Sequence, residues 1–140
     1  MSAIKGIMET ATFIKERIGE IPQLEIIGKP HMSIVSFRSI NSKLNIYSLA
    51  DAMEKFGWQL ERQRLPDSIH CSVMPQHASV KEIFIQNLIE SIDLVLQDPS
   101  KFKNTGSAAI YGLIGKIPDE ELIVDYMKFL LDELYQFPKI

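Results

Sequence analysis

The residues best suited to binding a metal ion are few and poorly spaced. The chain has three histidines and one cysteine, and His70 and Cys71 are adjacent in a segment that alternates like a β-strand. Successive side chains of a strand point to opposite faces, so one ion could not be bound by both. A zinc site also needs roughly four ligands. The pattern therefore predicts no metal site, and His77 is expected to be a partly exposed loop histidine.

The glycines and serines do not complete a known catalytic motif. Gly115 and Lys116 are followed by Ile117, whereas a P-loop requires Ser or Thr at that position. Ser107 follows Gly106 directly, which excludes the G-x-S-x-G elbow of α/β-hydrolases. The residues alone predict no self-contained active site and no catalytic residue.

Two arginines could bind an anion. Arg62 and Arg64 are separated by one residue, so both would lie on the same face of a strand. An exposed edge strand with solvated cations is the simpler interpretation, and we favour it over an anion site.

Length and charge indicate one globular domain. The chain has 140 residues, 46% of them hydrophobic, and a net charge of -3. Nucleic acid is not expected as a partner because phosphate binding uses clustered cations.

No apolar run reaches the roughly 18–20 residues that cross a bilayer, and charged residues interrupt any apolar signal segment near the start. A single cysteine forms no internal disulfide, so a cytoplasmic, cytosol-facing protein is expected.

Hydrophobic periodicity predicts several helices. The three-and-four spacing of apolar residues that one helical face requires occurs in residues 4–18, 46–56, 79–97 and 118–134. Asn45 is the expected N-cap of the second of these helices. Ser79 and Glu82 have the spacing of a capping box at the start of the third.

Four segments alternate like short strands, around residues 24–26, 34–37, 58–65 and 69–74. The strands of each pair are joined by tight connections, so they should be antiparallel neighbours. The predicted fold class is α+β, with a small antiparallel sheet of three to four strands covered by helices on at least one face.

An ordered set of segments carries a resemblance to a known family. It is sharpest in residues 45–53 (NIYSLADAM), 57–60 (GWQL), 66–70 (PDSIH) and 105–112 (TGSAAIYG). In this order they resemble the C-terminal small domain of sphingosine-1-phosphate lyases, which are pyridoxal-phosphate (PLP) enzymes of the aspartate-aminotransferase fold. Because the resemblance covers nearly the whole chain, residues 1–140 are expected to be that single domain, without the large PLP-binding domain.

The resemblance implies a lyase that cleaves the C2–C3 bond of a phosphorylated sphingoid base in sphingolipid catabolism, giving a long-chain aldehyde and phosphoethanolamine. PLP is then the cofactor of the complete enzyme. The implied partners are a large PLP-binding domain or subunit, which carries the Schiff-base lysine, and further copies in a homo-oligomer such as a dimer. Nothing in this sequence matches the motif of that lysine, so the chain alone is expected to bind no cofactor and to be inactive.

The resemblance also implies that residues 105–112 form a loop lining the route to the cofactor. The candidate substrate-entrance residues are Thr105, Gly106, Ala109, Tyr111 and Gly112. Tyr111 has the most capable hydrogen-bonding group. It could equally be a buried spacer whose hydroxyl binds the backbone, and the two glycines could simply permit turns.

Two other aromatic residues, Tyr47 and Trp58, are predicted to be core or domain-interface residues.

Two alternatives remain open. The first is the small domain of a PLP-dependent amino-acid decarboxylase, in which Arg38, Arg62 or Arg64 would bind a substrate carboxylate. The second is a stand-alone interaction module without a catalytic role. A split gene product, a separately encoded subunit and a piece of a longer protein would all have this sequence.

Overall fold

The computed structural model describes residues 3–28, 33–103 and 106–114. The helix expected at residues 118–134 and Thr105 lie outside these residues, as does part of the tight connection expected between the strands around residues 24–26 and 34–37.

An antiparallel sheet of four strands forms one layer of the molecule. Its strands are β1 (Leu24–Ile26), β2 (Ile34–Ser39), β3 (Glu61–Gln63) and β4 (Ser68–Ser72). They lie in the order β1-β2-β4-β3, so β1 and β3 are the edge strands. The pairs β1·β2 and β3·β4 are antiparallel, as their short connections predict. The expected α+β class is confirmed.

The register gives the sheet one apolar face. Directly opposed residues share a face, and the opposed pairs on the inner face of the two central strands are Val35 with Cys71 and Phe37 with Ile69. All four are buried. The helices cover this face, because its apolar side chains must be removed from water.

The helices follow the predicted order, with additional short elements. They are α1 (Ala3–Gly19), α2 (Ile46–Lys55), α3 (Lys81–Gln97), α4 (Pro99–Lys103) and α5 (Gly106–Ile114), with a 3-10 helix at Pro75–Ser79 before α3. Side chains that are fully buried include Ile14 and Ile18 of α1, Leu49 and Met53 of α2, and Phe84 and Leu88 of α3. None of the described helices is long and apolar enough to cross a membrane.

The expected cap of α2 is present. Asn45 Oδ1 accepts hydrogen bonds from the amides of Tyr47 (2.8 Å) and Ser48 (3.1 Å). This satisfies two of the amides that have no partner within a helix's first turn.

The capping box predicted for α3 is wrong. The cap position is taken by Val80, whose side chain makes no hydrogen bond, and the Ser79 hydroxyl donates to the Gln76 carbonyl instead (3.3 Å). The reason is the preceding 3-10 helix, which starts at Pro75 and runs almost directly into α3. Ser79 lies within that turn and is not in an extended capping conformation.

Candidate functional site

The described part of the predicted entrance segment, residues 106–112, is helical and not a loop. From Gly106 onward it forms α5, which packs against α2. The prediction was wrong because the residues that hold the start of α5 come from α2 and not from the neighbouring sequence. The Ala108 amide, in the first turn of α5, donates to Asp51 Oδ2 at 3.2 Å.

The first contact between the two helices is a pair of stacked tyrosines. The rings of Tyr47 and Tyr111 have centroids 4.2 Å apart and planes inclined by 15°. Tyr47 is buried, whereas Tyr111 is partly exposed. The Tyr111 hydroxyl makes no hydrogen bond to the residues that the structure describes. The stack on Tyr47 fixes the Tyr111 ring.

Tyr47 is fixed at its other end by the sheet edge. Its hydroxyl donates to the Gln63 carbonyl of β3 and lies 3.0 Å from Asp67 Oδ1. Burial, followed by the hydrogen bond and the negative charge of Asp67, raises the pKa of Tyr47 well above its ordinary value. Tyr47 is therefore a neutral structural anchor, in agreement with its predicted place in the core.

The second contact between α2 and α5 is polar and lies one helical turn further along. The Ser107 hydroxyl donates to Asp51 Oδ1 at 2.7 Å. Arg62 Nη2 lies 2.9 Å from the same carboxylate oxygen and 2.8 Å from Glu54 Oε1. Arg62 Nε in turn donates to the Ser107 hydroxyl at 2.7 Å. These residues form a closed polar cluster across α2, β3 and α5.

The position of Arg62 contradicts its predicted role as a solvated cation on an edge strand. Its side chain is only 16% exposed, because the register places it opposite Ile69 on the face that the helices cover. Burial acts to lower its pKa, but hydrogen bonds to Glu54 and Asp51 outweigh burial and raise it. Arg64 does not share this strand face, because β3 ends at Gln63.

A side chain at position 106 would be strained and would displace Asp51. The φ of Gly106 is +59°, and a Cβ there would lie 2.7 Å from Asp51 Oδ2. Glycine alone adopts that backbone region without strain. Gly112 differs, because it lies within α5 and a Cβ added there would meet no heavy atom within 4 Å. Of the two glycines expected to permit turns, only Gly106 does so.

The structure therefore brings two of the five candidate entrance residues against α2, namely Gly106 and Tyr111. Ala109 is partly exposed and Gly112 is exposed on α5.

Two further residues of the cluster, Asp51 and Ser107, were not singled out from the sequence, whereas Arg62 was singled out but expected to be solvated. One signal was available, since Tyr47 and Asp51 are four residues apart, as are Ser107 and Tyr111. Residues with this spacing share one helical face.

Trp58 agrees with its predicted place in or near the core. It is half-buried and packs its ring edge-on to Phe84, with centroids 5.0 Å apart and planes at 84°.

The histidines and the cysteine are dispersed. Cys71 is buried on the inner face of the sheet, whereas His70 lies on the other face, where it pairs with Ser36 and Glu61. His77 Nδ1 accepts a hydrogen bond from the Met74 amide (2.9 Å). Among residues 3–28, 33–103 and 106–114, no group of three or more potential ligands is placed to hold a metal ion.

Comparison with curated proteins finds relatives along most of the chain. The sphingosine-1-phosphate lyase of Oryza sativa subsp. japonica is 38% identical over 125 residues, which is 86% of this chain. The one of Arabidopsis thaliana is 36% identical over 129 residues (92% of the chain), and sphingosine-1-phosphate lyase 1 of Rattus norvegicus is 30% identical over 137 residues (96%). The chain spans only 23% to 24% of these relatives. No protein-family model matches it.

One solved structure gives the same assignment, and two others share the fold. A sphingosine-1-phosphate lyase of Burkholderia pseudomallei matches 82% of this chain and 25% of its own, with a TM-score of 0.61 and 26% identity. The cysteine desulfurase CsdA of Escherichia coli (TM-score 0.58, 12% identity, 66% of this chain and 26% of its own) shows the fold alone. So does C-DES, solved with glycine linked to its PLP cofactor (TM-score 0.52, 16% identity, 64% of this chain and 23% of its own). Sequence and fold together identify the chain as a relative of the sphingosine-1-phosphate lyases that corresponds to about a quarter of their length.

Proposed function

We propose that the chain forms the C-terminal part of a PLP-dependent carbon-carbon lyase that acts on phosphorylated sphingoid bases. The reaction would convert sphingosine 1-phosphate to a long-chain aldehyde and phosphoethanolamine. The observation that carries the proposal is the match to proteins named sphingosine-1-phosphate lyase along 86% to 96% of the chain. Because the match is about a quarter of each relative, the other groups of the active site would come from a large domain or subunit.

The described residues do not form a site for PLP by themselves. A Schiff base requires a lysine whose amine is held in a pocket against the cofactor. The described lysine side chains are exposed, apart from the half-buried Lys81. The ammonium groups of Lys81 and Lys55 lie over the rings of Phe13 and Phe102, at 4.6 and 4.9 Å. In the complete enzyme, the partner domain would hold PLP, which supplies the electron sink.

The contribution of this chain would be to line the substrate entrance with the start of α5. The stack on Tyr47 holds the Tyr111 ring, and the Tyr111 hydroxyl makes no hydrogen bond to the described residues. We propose that this hydroxyl contacts the substrate or the cofactor. Gly106 would allow α5 to begin close to α2, and Thr105, Ala109 and Gly112 would complete the lining.

The pairing of the arginines supports the lyase over the amino-acid decarboxylase. An arginine that is already paired with carboxylates of its own chain would have to give up those partners to bind a substrate carboxylate. Arg38 Nη2 lies 2.9 Å from Glu25 Oε1, and Arg62 is bound by Asp51 and Glu54. Two of the three arginines considered for that role are therefore already paired.

We further propose a homo-oligomer that acts on the cytosolic side and binds no nucleic acid. Apolar side chains that would suit a partner domain are exposed on the described surface, among them Ile4 and Met8 of α1 and Leu113 of α5. The net charge of -3 and the single, buried cysteine are consistent with this setting.

The proposal can be tested by supplying the missing part in trans. The chain is mixed with PLP and the separately produced large domain of the Burkholderia pseudomallei lyase, and long-chain aldehyde release from sphingosine 1-phosphate is measured. We expect activity only when both parts are present. Tyr111→Phe should lower kcat and kcat/KM together by about tenfold, equivalent to ~1.4 kcal/mol, without changing the melting temperature.

Three outcomes would redirect the interpretation. Release of carbon dioxide from an amino acid, with no aldehyde from the lipid, would favour the decarboxylase. Binding of the two parts without either reaction would favour an interaction module. Unchanged turnover of Tyr111→Phe, together with a loss of about 1 kcal/mol of stability, would make Tyr111 a structural spacer.

A further inference from the structure

Helices α2 and α5 meet through two contacts that are one turn apart on both helices. Tyr47 contacts Tyr111, and Asp51 contacts Ser107. The residue numbers rise along α2 as they fall along α5, so the two helices are antiparallel here. In each helix the two contact residues are four positions apart and so lie on one face. Two contacts of different chemistry therefore define one register between the helices.

We propose that Asp51 is a positioning residue, which fixes the start of α5 along α2 and thereby places the Tyr111 hydroxyl. The part of this inference that concerns substrate contact rests on the proposed function. The part that concerns the placement of α5 rests on the contacts alone.

The carboxylate is better suited than the aromatic stack to set this register. Stacked rings tolerate sliding, whereas hydrogen bonds weaken steeply away from their preferred geometry. Asp51 accepts from both the Ser107 hydroxyl and the Ala108 amide, and this amide belongs to the first turn of α5. A shift of α5 by one residue corresponds to about 1.5 Å along its axis and a rotation of about 100°. Such a shift would break both hydrogen bonds and move Tyr111 away from Tyr47.

Arg62 holds Asp51 in the conformation that this role requires. The Asp51 side chain is 17% exposed, and a carboxylate so far removed from water needs a partner. Arg62 supplies it from β3 and also donates to the Ser107 hydroxyl. Because the Tyr47 hydroxyl donates to the Gln63 carbonyl, both contact residues of α2 are anchored to the same edge strand. The position of α5 is thereby tied to the sheet.

Glu54 provides a matched control. It lies three residues after Asp51 on α2, and its Oε1 accepts a hydrogen bond from the same Nη2 atom of Arg62, at 2.8 Å. Its side chain is 45% exposed, and its described hydrogen bonds do not reach α5. Asp51→Asn and Glu54→Gln therefore each remove one negative charge beside Arg62, but only the first changes a group that contacts α5.

Amide hydrogen exchange of the full 140-residue chain tests the placement of α5. We expect the α5 amides to exchange about tenfold faster in Asp51→Asn than in the native chain. In Glu54→Gln the exchange rates of the same amides should change by less than about twofold. Ser107→Ala removes the hydroxyl that donates to Asp51, so its α5 amides should also exchange faster, as in Asp51→Asn. Equal α5 exchange in Asp51→Asn and Glu54→Gln would overturn the proposal, provided that both variants keep the native circular dichroism spectrum.

The two-part enzyme tests whether Asp51 acts through Tyr111. We expect Asp51→Asn to lower kcat/KM by about tenfold in the native background and by less than about twofold when Tyr111→Phe is already present. If Asp51→Asn lowers kcat/KM by the same factor with and without Tyr111→Phe, the proposed link between Asp51 and Tyr111 is overturned. Faster α5 exchange without any effect of Asp51→Asn or Tyr111→Phe on kcat/KM would support the placement of α5 and reject the proposed role of Tyr111.

Discussion

Alanine at position 106 should weaken the junction between α2 and α5. Gly106 has a φ of +59°, and an added Cβ would lie 2.7 Å from Asp51 Oδ2 and 3.0 Å from Asp51 Cγ. The Asp51 side chain cannot move away freely, because Arg62 and Ser107 hold it. Either the carboxylate shifts and loses these hydrogen bonds, or the start of α5 moves.

The expected cost has two parts. A left-handed backbone costs a residue other than glycine about 1–2 kcal/mol. Displacing the carboxylate from its partners costs about 1–3 kcal/mol more. The lower entropy of alanine in the unfolded chain returns about 0.4–1 kcal/mol. We therefore expect Gly106→Ala to lower the free energy of unfolding by about 1–4.5 kcal/mol, with the midpoints of these ranges giving about 3 kcal/mol.

Urea unfolding of three variants measures this cost and identifies its cause. Gly112→Ala is the matched control, because Gly112 lies in the same helix with open space around it. It should stabilise the chain by about 0.5–1 kcal/mol. In an Asp51→Ala background the contact with the carboxylate is gone, so the left-handed backbone cost less the entropy return should remain, at about 0–1.5 kcal/mol. Equal effects of Gly106→Ala and Gly112→Ala, or an unchanged Gly106→Ala cost without Asp51, would refute this reasoning.

Three further predictions concern the isolated chain. Burial raises the pKa of the Cys71 thiol from 9.0 to about 11, so the thiol loses its proton at lower pH in the unfolded state than in the folded state. The contribution of Cys71 to the free energy of unfolding should therefore be fully present below pH 9 and fall by about 2–3 kcal/mol between pH 9 and 11. Urea titrations at several pH values should show this slope for the native chain and a weaker one for Cys71→Ala, and equal slopes would contradict it. The chain mixed with PLP should show no stoichiometric Schiff-base absorbance that survives dialysis, because no described lysine amine is held in a pocket against the cofactor. A stable band would reject the assignment of the cofactor site to a partner. With Ile4 65% exposed and Leu65 75% exposed, the chain should self-associate at high micromolar concentration, and a strictly monomeric sedimentation profile would count against this prediction.

Local features of the fold were predictable because they depend on residues a few positions apart. Asn45 caps α2 through amides two and three residues ahead of it, and such spacing is visible in a sequence. The alternating strands and their short connections likewise specified the antiparallel pairs β1·β2 and β3·β4. The capping box predicted from Ser79 and Glu82 is absent because Ser79 is the last residue of the 3-10 helix that starts at Pro75. Serine is compatible with both positions, so the sequence pattern does not distinguish them.

By itself the sequence determined the α+β class, the order of most elements and the relationship to sphingosine-1-phosphate lyases, since periodicity, caps and ordered motifs are linear properties of a chain. Only the tertiary structure decided that α5 is a helix held by α2 and that Arg62 is buried in a polar cluster. Asp51 and Ser107 are 56 residues apart in sequence, and Arg62 and Ser107 are 45 apart. No local pattern encodes such contacts, because they form only when packing of the apolar face of the sheet against α2 brings β3 and the start of α5 to the same end of one helix.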